Sequence, residues 1–69
     1  MYTTVNFKTK KALREAVESG QKITYYQPGF FNEDVPKDGV IYVEGPHYPE
    51  PHKWYAKCTV KNGYIISVG

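Results

Sequence analysis

The stretch WYAKCTVKNGYIISV, Trp54 to Val68, holds two alternating runs on either side of Asn62-Gly63, the dipeptide that most strongly signals a tight β-hairpin. Two pairings are open to it. A two-residue loop sets Val60 opposite Ile65 and Thr59 opposite Ile66, which leaves both faces mixed. A three-residue loop, with Gly63 left-handed, sets Val60 against Tyr64 and Cys58 against Ile66. One face then reads Trp54, Ala56, Cys58, Val60, Tyr64, Ile66, Val68, and the other Tyr55, Lys57, Thr59, Lys61, Ile65, Ser67. A one-residue slip exchanges the faces, so burial favours the cleaner pattern and the three-residue loop is the expectation.

Working back from the hairpin, GVIYVEG (39–45) reads as a strand opened by an Asp38-Gly39 turn, and KITYYQPG (22–29) as another closed by Pro28-Gly29. QPGFFNEDVPKDG, between them, is a long loop for so short a chain. MYTTVNF alternates weakly, with Thr3, Val5 and Phe7 on one side, as a short edge strand does. Thr9 is placed to N-cap the helix KKALREAVES, and Gly20 to end it. Ala12, Leu13, Ala16 and Val17 form its narrow apolar stripe, over which Phe7 can fold like a hydrophobic staple. Its charges oppose the macrodipole, lysines first and glutamates last, so packing on a sheet has to hold it. The expected fold is α+β. One N-terminal helix packs on a small antiparallel meander of three to four strands, with a proline-rich crossover before the C-terminal hairpin. Residues 1–69 form a single domain.

Composition agrees with a small globular domain: 69 residues, 41% hydrophobic and 23% charged. Seven tyrosines supply most of a 16% aromatic share, and tyrosine suits a domain with much surface per residue. The net charge of +2 is mild, well short of the field of a strong nucleic-acid binder. One cysteine, Cys58, cannot form a disulfide within the chain and gives no thiolate zinc set. No secretory apolar segment opens the sequence, and its longest aliphatic-aromatic run, Val40 to Val43, is too short to cross a bilayer. The reading is a soluble protein of a reducing compartment, with no membrane partner.

The segment GPHYPEPHKWY (45–55) concentrates three prolines, both histidines and the lone tryptophan. Prolines at this spacing favour polyproline II, which holds His47 and His52 ~15 Å apart. Two imidazoles on one zinc each need to come within ~2.1 Å of it, so no metal site and no cofactor are expected. The three-residue period puts Tyr48, Pro51 and Trp54 on a docked side as structural anchors. It puts His47, Glu50 and Lys53 on a displayed side. Tyr48-Pro49 is a candidate cis bond. His52 near Glu50 suggests an acid–base pair, but no nucleophile accompanies it, and Cys58 alternates with core residues as a buried small hydrophobe. No catalytic signature or phosphate loop occurs, and the protein reads as a non-enzyme.

Three surfaces remain as candidates. Lys8, Lys10, Lys11 and Arg14 gather at a helix N-terminus, which already favours an anion. Phe30 and Phe31 are adjacent rings that cannot easily both point inward, so one is a candidate contact or dimer anchor. Tyr55, Lys57 and Lys61, with Tyr26 a further candidate, make an aromatic and basic sheet face of the kind that stacks single-stranded bases.

FKTKKALREAV, then GVIYVEGPHYPEPHKWYA and the closing VKNGYIISV, resemble small uncharacterised proteins of bacteriophage and prophage genomes. These share a lysine-rich helix start, an EGPHYPxPHxWYA block and a valine-flanked hairpin. The resemblance covers most of the chain; the FFNEDVP loop and Cys58, where an aliphatic residue is usual, depart from it. It implies expression in a bacterial host cytoplasm and a role in infection, and supplies no mechanism. The expectation is an accessory protein without catalysis that binds a host macromolecule, foremost a host protein, as a host-takeover or anti-defence inhibitor does. A nucleic-acid or nucleotide binding module is the alternative. A virion structural piece or homo-oligomer built through edge strands is the third.

Overall fold

In chain order the computed structural model contains β1 (Tyr2–Thr3), α1 (Lys10–Glu18), β2 (Tyr25–Tyr26), β3 (Gly39–Gly45), β4 (Trp54–Lys61) and β5 (Tyr64–Val68). It describes residues 1–27, 35–47 and 49–69. β4 is the organising element. Its alternation is strict, with Trp54, Ala56, Cys58 and Val60 buried and Tyr55, Lys57, Thr59 and Lys61 exposed. It pairs antiparallel with β3 on one side and β5 on the other, giving a three-stranded sheet of order β3-β4-β5. β1 and β2 form a separate two-stranded ribbon. The architecture is α+β, as the periodicities predict.

The β4–β5 pairing differs from the expected register. Lys61 faces Tyr64 and Val60 faces Ile65, so the loop has two residues, not three. Asn62 and Gly63 both take positive φ, 53° and 81°, as a type I′ turn requires. The register then shifts so that Thr59 faces Ser67 and Cys58 faces Val68, which leaves Ile66 as an unpaired bulge residue. That one extra residue reverses the alternation of β5, turning Ser67 outward and bringing Val68 against the core. Ile65, between the turn and the bulge, is buried opposite Val60, whereas Tyr64 and Ile66, both expected inside, are 38% and 53% exposed.

Thr9 caps α1 as expected, its Oγ1 accepting the Ala12 N–H at 3.0 Å. The helix closes in a Schellman motif at Gly20 (φ 90°): Gln21 N–H donates to the Ala16 carbonyl and Gly20 N–H to that of Val17, each at 3.1 Å. Its first turn carries no acid and its last turn no base, so the macrodipole is uncompensated. Burial supplies the stability instead. Leu13 is fully enclosed, and with Ala16 it joins Ile23, Ile41, Val43, Trp54, Cys58, Val60 and Ile65 in one core, against which Phe7 also packs.

The N-terminal ribbon lies elsewhere than a simple meander requires. β2 is only two residues long and pairs with β1, Tyr2 with Tyr26 and Thr3 with Tyr25, not with β3. β1 ends early because the Thr3 hydroxyl and the Phe7 N–H both donate to the Val5 carbonyl. Thr3 is therefore buried while Val5, expected on the same side, is 52% exposed. The ribbon touches both outer strands of the larger sheet. Glu44 N–H of β3 donates to the Met1 carbonyl, and Ile65 N–H of β5 donates to that of Ile23, each at 3.0 Å. Among the described residues no helix is long and apolar enough to cross a membrane.

Candidate functional site

The proline-rich segment is not a straight strut. Gly45-Pro46 is cis, Glu50 N–H closes a turn on the His47 carbonyl at 3.1 Å, and Lys53 N–H returns to the Gly45 carbonyl at 2.7 Å. The chain doubles back, and both imidazoles land on the same phenol ring. The centroids of His47 and His52 are each 5.2 Å from that of Tyr2, which the ~15 Å separation expected of an extended run does not allow. Tyr2 in turn lies 5.9 Å from Tyr26, whose ring meets His47 edge-on at 6.1 Å.

Hydrogen bonds fix this cluster to β1 and the chain following it. His47 Nε2 donates to the Thr3 carbonyl at 2.8 Å, and His47 N–H donates to Asn6 Oδ1 at 3.0 Å. The Tyr2 hydroxyl and His52 Nε2 are 2.7 Å apart, and His52 Nδ1 lies 3.6 Å from Glu44 Oε2. The indole of Trp54 is buried, with its Nε1–H donating to the Phe7 carbonyl at 3.1 Å. It lies flat on Gly45, where a Cβ would meet indole carbons at 2.4 and 2.5 Å. Trp54 is thus the anchor its position predicts. Pro51, expected to dock beside it, is exposed, because the turn at His47–Glu50 breaks the three-residue period. His47, expected on display, is half-buried and engaged with β1, while Glu50 and Lys53 are exposed.

The row Glu44, His52, Tyr2 has the order of a proton relay, so its chemistry follows from the phenol. Burial raises the Tyr2 pKa above its ordinary value of 10.0, and the nearby Glu44 carboxylate and Tyr26 push it the same way. A phenol shifted in that direction keeps its proton, and its hydroxyl is hydrogen-bonded to His52 Nε2. No three His, Cys, Asp or Glu side chains gather among the described residues in a way that would hold a metal ion.

The basic helix start is divided by its neighbours. Lys8 Nζ pairs with Glu50 Oε1 at 3.2 Å and Lys11 Nζ with Glu15 Oε1 at 3.9 Å; Lys10 is half-buried and only Arg14 projects without an ion pair among the described residues. Cys58 is fully buried, and burial pushes its thiol up to about 11, with Lys10 drawing it slightly back. Phe30, Phe31 and Tyr48, and with Tyr48 the Tyr48-Pro49 bond, lie outside the described residues.

The outer face of the three-stranded sheet is exposed along all of β4. Register puts Tyr42 directly across from Lys57, Glu44 across from Tyr55, Val40 across from Thr59 and Lys61 across from Tyr64. Tyr42 and Tyr55 are diagonal neighbours on adjacent strands, 66% and 65% exposed, and Val40 beside them is 49% exposed. Tyr55, Lys57 and Lys61 occupy the face predicted for them. Tyr26 does not; it belongs to the histidine cluster. Tyr42 and Val40 are new members, and the signal for them was the alternation of β3, in which Ile41 and Val43 point inward. Lys57 and Lys61 have no ion-pair partner among the described residues, whereas the one acid of this face, Glu44, is directed toward His52 and the Met1 nitrogen. Compared with known proteins, the chain matches no family model, no curated protein and no solved structure.

Proposed function

We propose that the protein is a binding module without catalysis that docks an acidic surface of a partner protein on the outer face of the β3-β4-β5 sheet. The observation that carries this reading is the pair of exposed rings, Tyr42 and Tyr55, on adjacent strands beside Lys57 and Lys61, which have no ion-pair partner among the described residues. Tyrosine presents a large rigid contact area at small entropic cost, and aromatic residues are over-represented among interface hot spots. Unpaired lysines around them select an acidic counterpart and speed the encounter. The resemblance to small phage proteins supports a setting in the cytoplasm of a bacterial host, with a host protein as the target and inhibition in host takeover or anti-defence as the role.

A single-stranded nucleic acid is the second reading, favoured by the same rings, since bases stack on exposed aromatics flanked by cations. Two measurements separate the readings. Protein immobilised in host lysate should retain a target that the Tyr42→Ser/Tyr55→Ser variant fails to retain, and the purified target should bind the variant at least ~10-fold more weakly. Oligonucleotide binding that falls steeply with salt would transfer the face to nucleic acid. Retention of the same target by the variant would end the claim for this face.

A further inference from the structure

A cleft of about 590 Å³ opens where the C-terminal end of α1 and the residues after it pass the tip of the β4–β5 hairpin. Val17, Ile65 and Ile66 form its apolar lining, and Lys22, Lys61 and Tyr64 its polar rim. Three features set it apart from an accidental gap. The two-residue turn leaves Ile66 at the cleft, 53% exposed, where a three-residue loop would have buried it. The Lys22 ammonium is held over the Tyr64 ring, 5.5 Å from its centroid, and the ladder sets the Lys61 backbone opposite Tyr64. Both residues line the cleft. Among the described residues every charged side chain lining the cleft is a lysine, and neither Lys22 nor Lys61 has an ion-pair partner. The helix end contributes little opposing charge, because the carbonyls of Glu15, Ala16 and Val17 are already occupied by the Ser19, Gln21 and Gly20 N–H groups.

We propose that this cleft receives an extended acidic segment of a partner protein, an apolar side chain seated over Val17, Ile65 and Ile66 and flanking carboxylates set against Lys22 and Lys61. Apolar lining rimmed by two lysines selects that chemistry over a purely apolar helix, which would leave the lysines desolvated and unpaired. It disfavours nucleic acid, whose bases offer flat rings for stacking and, apart from the thymine methyl, little aliphatic surface to cover the isoleucines. The site stands independently of the tyrosine face, with which it shares only the Lys61–Tyr64 rung.

The probe is an acetylated, amidated hexapeptide, DELDFE, titrated into the ¹⁵N-labelled chain and followed by amide shifts. Saturable shifts centred on Gly20, Lys22, Tyr64 and Ile66 are expected, and the control DESDSE, equal in charge but without the apolar groups, should bind at least ~10-fold more weakly. Lys22→Glu and Ile66→Ser, both at exposed positions, should each weaken DELDFE binding by ~5- to 10-fold while leaving the far-ultraviolet spectrum intact. Tyr42→Ser/Tyr55→Ser should leave it unchanged, which keeps the fate of the sheet face separate. Shifts centred on Tyr42 and Tyr55, equal binding of the two peptides, or no saturation of the cleft shifts would each overturn the proposal.

Discussion

Replacing Gly45 by alanine places a methyl group into the face of the only indole. The added Cβ would lie 2.4 Å from Cζ2, 2.5 Å from Cε2 and 2.8 Å from Nε1 of Trp54, inside any tolerable contact. Neither partner can yield cheaply. Gly45 is a ladder residue paired with Trp54, and the indole is buried and tied through Nε1 to the Phe7 carbonyl. Overpacking of this kind costs about 1–3 kcal/mol, and displacing the indole loses a hydrogen bond worth another ~0.5–1.5 kcal/mol. The combined loss of roughly 1.5–4.5 kcal/mol compares with a total stability of about 3–10 kcal/mol for 69 residues. With a urea slope of ~1 kcal/mol/M, the unfolding midpoint should drop by ~1.5–4.5 M, followed through the fluorescence of Trp54 itself. In a Trp54→Phe background, where those indole atoms are absent, circular dichroism should show the alanine costing at least ~1 kcal/mol less. A midpoint unmoved by Gly45→Ala, or an equal cost in both backgrounds, would refute the stacking argument.

Thr9→Ala should destabilise the fold by ~1 kcal/mol and speed exchange of the Ala12 amide, whereas Thr9→Ser should restore both; the check is urea unfolding with amide exchange. Cys58 titrates near 11 in the fold against 9.0 when exposed, so its contribution is complete below pH 9 and is lost as pH rises to 11. Urea midpoints taken from pH 8 to 10 in reductant should fall, and the slope should flatten in Cys58→Ala; equal slopes would show the thiol plays no part. Above pH 10 the raised pKa values of Tyr2 and Tyr25 act in the same direction, so the comparison is made below it.

The elements whose causes are local were legible in the sequence. Thr9, the Ala12–Val17 stripe and Gly20 define α1, and strict alternation from Trp54 to Lys61 defines β4 and its buried side. Two misreadings have distinct physical origins. Unbroken alternation through Val68 points to a three-residue loop, but alternation cannot reveal an inserted residue. The two-residue turn wins because Asn62-Gly63 suits it, and the bulge at Ile66 repairs the face it would spoil. The proline segment was read by its own period, whereas its course is set by groups far away in the chain. Tyr2, Thr3 and Asn6 hold His52 and His47 across more than forty residues, and nothing within GPHYPEPHKWY announces them. The tyrosine face was half visible for the same reason: Tyr55, Lys57 and Lys61 follow from one strand, but Tyr42 joins them only when β3 is laid alongside β4.

The two stitches made by the N-terminal ribbon bear on self-association. A three-stranded sheet standing alone has two open rails of backbone donors and acceptors, each an invitation to a second copy. Here one rail is engaged at Glu44 by Met1 and the other at Ile65 by Ile23, both from the chain flanking α1. Because α1 lies between β1 and β2 in sequence, fraying that helix would loosen both rails together. Fibril seeding in concentrated solution should accordingly track helix stability rather than the hydrophobicity of the strands.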